Sequence, residues 1–241
     1  MLPSAVPARP VTLPHFLRES AAPWPVCGID EVGRGPWAGP VVAAAVILDP
    51  ARLPKGLRDS KQLTRRRRAE IAAMLHETAR IGLGVASVEE IEQLNILGAS
   101  LLAMERAVAQ LPVPPRHALV DGNRLPAGLP CPAEAIPGGD TLCLSVAAAS
   151  VVAKVARDRM MAELAARHPG YGWETNMGYG TREHAAALDR LGLTIHHRRS
   201  FRPIRRLAAI AEEMAGTERG EAVAAGAEGP VQAEAAEEAA L

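Results

Sequence analysis

Two acids stand side by side at the end of an apolar run, Val26-Cys27-Gly28-Ile29-Asp30-Glu31, and a glycine-rich turn, Gly33-Arg34-Gly35-Pro36, follows at once. Ionised carboxylates at the end of a buried strand are costly unless a partner compensates them. Divalent cations are the simplest partner, because a hard ion such as Mg²⁺ takes one or two carboxylates and keeps room for water and a phosphate. Two more acids fit the pattern. Asp121 closes the run His117-Ala118-Leu119-Val120 and precedes Gly122, and Asp140 follows Pro137-Gly138-Gly139 at the head of a long alanine-rich segment. Each acid alone reads equally as a turn residue or a helix cap, and Asp140 could be a plain N-cap. Delivered together to one edge of a sheet, four carboxylates repel one another until cations bind. A pair of ions about 4 Å apart would then activate a water and stabilise a leaving oxygen at a phosphodiester. Gly33 and Gly35 let the backbone approach a ligand, and Arg34 between them suits a phosphate. A dinucleotide-binding turn fits poorly. The spacing is not G-x-G-x-x-G, Pro36 removes an N–H, and the acids would repel a pyrophosphate. Asp158, in Arg157-Asp158-Arg159, is a helix-surface or buried ion-pair residue and the reserve for the fourth acid.

The elements that must position these acids alternate between strand and helix. Hydrophobic patterning predicts strands over 26–31, 40–48, 80–86 and 117–122. It predicts a basic amphipathic helix over 65–77 after the loop from Asp59-Ser60 to Thr64. Further helices are expected over 88–110, with Glu89 and Glu90 in the first turn, over 140–167, ended by Pro169, and over 181–191. This is an α/β pattern with a central mixed sheet.

The chain has 241 residues, nearly half of them hydrophobic and only 3% aromatic, so its core is built from Ala, Val, Leu and Ile. No run is long and apolar enough for a membrane span, and no secretory signal is evident. Three widely spaced cysteines, Cys27, Cys131 and Cys143, suggest reduced thiols in the cytoplasm and neither a disulfide framework nor a zinc site. The net charge of zero hides an asymmetry. Residues 207–241 hold eight Glu and one Arg, which leaves 26 basic against 19 acidic residues in 1–206, a balance suited to a nucleic-acid partner. Residues 1–25 read as a proline-rich, disordered lead-in, 26–206 as the catalytic domain, and 207–241 as a disordered acidic Ala/Glu-rich tail.

The motifs resemble those of type 2 ribonucleases H, the family of bacterial ribonuclease HII. The resemblance is carried by Gly28-Ile29-Asp30-Glu31-Val32-Gly33-Arg34-Gly35-Pro36 with Ala38-Gly39-Pro40, by Asp59-Ser60-Lys61, Val120-Asp121-Gly122 and Ser145 to Val155 with Arg157-Asp158, by Gly178-Tyr179-Gly180-Thr181 with His184, and by His197-Arg198-Arg199-Ser200-Phe201. It implies a ribonuclease H-like fold with a helical C-terminal portion. It also implies an endoribonuclease that cuts the RNA strand of RNA–DNA hybrids and DNA duplexes containing single ribonucleotides, with a place in replication and repair. By this resemblance Asp30, Glu31, Asp121 and Asp140 bind two Mg²⁺ or Mn²⁺ ions with substrate. Gly33, Arg34 and Gly35 read the 2′-hydroxyl and its phosphate, Tyr179 stacks at the ribose–deoxyribose junction, and Lys61 lies near the scissile backbone. No obligate protein partner is implied, and a monomer is expected. Three positions depart from the family pattern: Gly139 and Met177 stand where lysine is frequent, and Trp37 where an aliphatic residue is usual. A DNA-junction nuclease of related fold would cut all-DNA duplexes. A catalytically dead binding module would lack carboxylates, and none of the four is missing.

Among the remaining basic residues, Arg65 to Arg68 read as the solvated start of a helix. His196-His197-Arg198-Arg199 with Arg202, Arg205 and Arg206 reads as a patch for a nucleic-acid backbone. His184 reads as structural, and Tyr171 and Trp173 as shaping the loop ahead of Tyr179.

Overall fold

The computed structural model describes residues 14–57, 60–207 and 209. A short helix α1 (Leu17–Ala21) leads into β1 (Val26–Val32) and β2 (Val41–Ile47). After them come α2 (Arg65–Thr78), β3 (Arg80–Ala86), α3 (Val88–Ala109), β4 (His117–Asp121) and β5 (Ala133–Ile136). The chain continues through α4 (Gly139–Leu142), α5 (Leu144–Arg167), α6 (Trp173–Asn176) and α7 (Arg182–Leu191), and residues 202–207 begin a final helical segment. The five strands form one mixed sheet in the order β3-β2-β1-β4-β5. The three on the β3 side pair antiparallel, and β4 runs parallel to both β1 and β5.

Alanine-rich packing sets the layers. β2 is buried on both faces. Val41, Ala43, Ala45 and Ile47 meet α3, while Ala44 and Val46 meet α5 and α2. On β1, a Cβ at Gly28 would lie 2.2 Å from both the Ser145 carbonyl carbon and the Val146 nitrogen, so only glycine lets the first turn of α5 settle onto the strand. That contact fixes α5 over the even-numbered face of β1, the face that also carries Asp30.

Three local departures from the sequence reading have physical causes. The lead-in expected to be disordered as far as residue 25 is ordered from residue 14. His15 bridges to Cys143, its N–H donates to the Leu142 carbonyl, and the Leu144 N–H donates back to the His15 carbonyl. The single helix expected over 140–167 is broken at Cys143, whose extended backbone (φ −119°, ψ 131°) serves that bridge. The helix expected over 88–110 is kinked at Asn95 (φ 58°, ψ 171°). The Asn95 side chain accepts hydrogen bonds from the N–H groups of Leu97 and Gly98 and so caps the second half afresh. Residues 1–13, Arg58, Asp59 and all of the acidic tail beyond Leu207 except Ala209 lie outside the described residues.

Glu19 explains why α1 docks. Cys143 offers no side-chain cap to α5, and Glu19 supplies one from 126 residues away: its Oε1 accepts from the Ser145 N–H (2.8 Å) and Oγ (2.7 Å). A carboxylate there also complements the positive end of the helix. Glu19→Ala is expected to lower stability by about 1–2 kcal/mol in urea unfolding. Glu19→Gln, which keeps an acceptor, should recover part of the loss.

Candidate metal centre and nucleic-acid interface

The parallel register of β1 and β4 pairs Ile29 with Val120, so Asp30 emerges beside Asp121 at the carboxyl ends of adjacent strands. In an open α/β sheet this end of the strands is where ligands bind. Consecutive strand residues point to opposite faces. Asp30 turns toward α5, and Glu31 turns toward the cleft lined by Leu97, Ser100 and Met104 of α3. Asp30, Glu31 and Asp121 nonetheless each bring an oxygen within 4.8 Å of the others. Asp140 stands next to this trio but outside its mutual spacing, in the first turn of α4. The Gly139 N–H in the same turn donates to Asp121 Oδ1 (2.7 Å). The backbone of Gly139 therefore orients an acid of the cluster, although this position carries no lysine.

Two acids of the cluster, Asp30 and Glu31, are biased toward the neutral form. Burial raises the Asp30 carboxyl well above the usual carboxylate range, with Glu31, Asp121 and Asp140 adding repulsion and a hydrogen bond from Ser150 opposing them. Burial raises Glu31 as well, against the lowering effect of Arg34, whose Nη1 lies 3.2 Å from Glu31 Oε1. The second oxygen, Glu31 Oε2, is buried with no hydrogen-bond partner among the described residues. An orphaned carboxylate oxygen facing two further carboxylates, all hard oxygen donors, is the donor set that suits a divalent cation.

The other residues singled out by sequence surround this centre. Lys61, on a single 3-10 turn (Ser60–Gln62), is exposed and places Nζ 4.0 Å from Asp140 Oδ2. Ser60 Oγ lies 2.9 Å from Ser150 Oγ, so the turn carrying Lys61 is tied to α5. Arg68, expected on a solvated helix face, instead donates to the carbonyls of Ser60 (2.9 Å) and Leu63 (2.6 Å) and holds that turn. Gly33 takes φ +103°, a conformation that disfavours side chains, and a Cβ at Gly35 would touch the Tyr179 ring at 3.6 Å. Tyr179, 44% exposed, thus stands beside the glycine-rich turn. Asp158 is outside the cluster. It pairs with Lys154 at 2.6 Å and lines a separate recess with Arg65 and Arg68.

Burial takes two members out of the basic patch expected of His196-His197-Arg198-Arg199 with Arg202, Arg205 and Arg206, while Arg199, Arg202, Arg205 and Arg206 stay exposed. His197 and Arg198 are 2% and 0% exposed. Arg198 donates to the carbonyls of Gly33, Arg34, Gly39 and Pro40. The equally buried Arg157 donates to those of Ala38, Pro40 and Met177. Desolvation lowers their pKa values to about 9 and about 10, so both stay charged at neutral pH. These two guanidiniums shape the glycine-rich loop from beneath, a role that a run of basic residues does not announce. Met177, where the sequence resemblance leads one to expect lysine, is buried in the cluster of Trp173, Met161 and Ile204.

Comparison with known proteins agrees with this arrangement. The sequence model of the family described as Ribonuclease HII matches residues 27–204. A protein named Ribonuclease HII from Paramagnetospirillum magneticum is 64% identical over 183 residues, covering 74% of this chain and 90% of that one. Another of that name, from Parvibaculum lavamentivorans, is 59% identical over 198 residues, covering 81% and 74%. Among solved structures, ribonuclease H2 from Pyrococcus horikoshii OT3 superposes with a TM-score of 0.64 at 26% identity, covering 76% of this chain and 96% of that one. Bst-RNase HIII in complex with Mn²⁺ shares the fold at a TM-score of 0.61 and 23% identity, covering 78% and 70%. The matched span takes in the first acids on β1 and the buried arginine behind their loop, and the chain belongs to the ribonuclease HII family.

Proposed function

We propose that the protein hydrolyses the RNA strand of RNA–DNA hybrids and cuts on the 5′ side of single ribonucleotides in duplex DNA, leaving 5′-phosphate and 3′-hydroxyl ends. The observation that carries this reading is the convergence of Asp30, Glu31 and Asp121 at adjacent strand ends, with a buried Glu31 oxygen that no group among the described residues satisfies. These three acids with Asp140 would hold the metal. When bound, a pair of Mg²⁺ or Mn²⁺ ions supplies a lowered pKa for the attacking water and charge stabilisation for the departing oxygen.

The chain's own groups do the rest. The Glu31 and Gly139 N–H groups donate to Asp30 Oδ1 and Asp121 Oδ1 and hold these carboxylates in place. Arg34, half exposed beside Glu31, is available to a substrate phosphate. Only the 2′-hydroxyl separates RNA from DNA at one nucleotide, and it lies in the minor groove, within reach of backbone groups in Gly33 to Gly35. Tyr179 presents its ring to the neighbouring sugar, and Lys61 faces the scissile backbone. No helix among the described residues is long and apolar enough to cross a membrane. With three free cysteines, we place the enzyme in the cytoplasm, where it would clear ribonucleotides from DNA as a monomer.

Three duplexes test the specificity: a continuous RNA–DNA hybrid, a DNA duplex with one ribonucleotide, and an all-DNA duplex. The first two are expected to be cut and the third left intact. Cleavage of the all-DNA duplex at a comparable rate would replace this reading with a DNA nuclease.

A further inference from the structure

Behind Tyr179 lies a buried chain of rings in which every nitrogen has a fixed role. Trp173 Nε1, which can only donate, points at His184 Nε2 (3.1 Å). His184 Nε2 is therefore an acceptor and carries no proton. The same nitrogen lies 3.1 Å from His197 Nε2, which must then be the donor of that pair. The other His197 nitrogen, Nδ1, accepts from the Thr194 backbone N–H (2.9 Å), which agrees with a neutral ring protonated at Nε2. A neutral His184 without a proton on Nε2 must carry it on Nδ1. That nitrogen lies 3.0 Å from the Tyr179 carbonyl, which can only accept. The assignments made from the tryptophan end and from the carbonyl end agree.

The endpoint of the chain is the reason to assign it a purpose. The Tyr179 carbonyl accepts from both His184 Nδ1 and the Thr181 N–H (2.8 Å), and the Tyr179 N–H donates to the Asn176 carbonyl (2.9 Å). The Tyr179 backbone is thus held at both ends, while the Gly178 carbonyl accepts from the N–H groups of Trp37 (2.8 Å) and Ala38 (3.3 Å) in the glycine-rich loop. Trp173 and His184 are both 0% exposed, so neither meets substrate, yet they set the backbone from which the exposed tyrosine ring projects. Burial pulls both histidines toward the neutral form that this pattern requires.

We propose that His184 is a positioning residue for Tyr179: its Nδ1–H, made a donor by Trp173 and His197, sets the ring beside Gly35 and thereby tunes recognition of the ribose–deoxyribose junction. The proposal rests on the functional reading above. It needs no contact between His184 and nucleic acid, and it separates the rings' role from that of the metal centre.

Two measurements test it. Long-range ¹H–¹⁵N NMR of the histidines in wild-type protein is expected to find His184 protonated on Nδ1 and His197 on Nε2; the opposite tautomer at His184 overturns the proposal without any substitution. The second is a double-mutant cycle on a duplex with one ribonucleotide. His184→Leu removes the donor and is expected to lower kcat/KM roughly 10- to 100-fold, the scale of a misplaced contact. His184→Asn, which can return an N–H near the Nδ1 position, should recover most of that loss. In a Tyr179→Ala background the His184→Leu loss should shrink to less than about twofold, because the two act as one unit. An undiminished loss in that background, or no loss in Tyr179→Ala itself, overturns the proposal. Wild-type protein that cuts no ribonucleotide-containing duplex overturns the functional reading and the positioning role with it, while the NMR result still judges the proton assignment on its own.

Discussion

Asp30→Asn is expected to lose cleavage by roughly 10³-fold or more and yet to be more stable than wild type when no divalent ion is present. The activity loss follows from removing a charged oxygen donor. Metal stabilisation of the transition state is worth several kcal/mol, and each 1.36 kcal/mol is a factor of ten in rate. The stability gain follows from the cluster itself. Asp30 is buried against Glu31, Asp121 and Asp140, and burial and repulsion both raise its carboxyl. A carboxyl raised in the folded state holds its proton more tightly there than in the unfolded chain. The penalty is therefore absent below the unfolded value of about 4 and grows as pH rises from there through the folded value. In chelator, the melting temperature of Asp30→Asn is expected to exceed that of wild type by a margin that widens from acidic to neutral pH. Mn²⁺ should then raise wild type more than the variant, since binding to the folded state alone stabilises it. A variant that is both inactive and less stable at neutral pH would mean that Asp30 serves the fold and not the ions.

The second large effect belongs to a residue with no contact to the acids. Arg198→Met is expected to lower stability by about 3 kcal/mol and to raise KM for duplex substrate. Arg198 satisfies the carbonyls of Gly33, Arg34, Gly39 and Pro40 and stacks its guanidinium 5.1 Å from the Phe201 ring. Each buried acceptor that loses its donor costs about 1–3 kcal/mol. Methionine fills the space and relieves the desolvation of a buried cation, which offsets part of that cost. The net loss should appear as a fall of roughly 6–12 °C in melting temperature for a domain of this size. Arg198→Lys keeps the charge but not the planar fork, so it should recover little. If Arg198→Lys behaved as wild type, charge and not carbonyl geometry would be what the loop needs.

Much of the architecture was legible in the sequence because local signals and tertiary demands coincide. β1, β2, β3 and β4 are apolar runs ending in acids, glycine or polar turns, and α3 begins with a full capping box at Ser87 and Glu90. What escaped reading depends on distant partners. β5 is four residues, Ala-Glu-Ala-Ile, whose pairing to β4 makes it a strand. Cys143 breaks the helix to pair with His15, and α1 exists because Glu19 reaches Ser145. The same divide runs through the site. Asp30, Glu31 and Asp121 stood out because acids at strand ends are costly. Ser60 and Ser150 did not, because a serine beside a turn or in an alanine-rich helix gives no hint that they meet across 90 residues. His197 and Arg198 look like surface charge in a basic run, and only the fold turns them inward.

The measurement closest to the central claim is cleavage of a DNA duplex bearing one ribonucleotide, with the divalent ion supplied or chelated and both new ends mapped. Cutting is expected only with Mg²⁺ or Mn²⁺ present, on the 5′ side of the ribonucleotide, leaving a 3′-hydroxyl and a 5′-phosphate. A purified, folded protein that stays inert whichever ion is added, or that cuts equally well in chelator, would contradict a metal centre built from Asp30, Glu31, Asp121 and Asp140.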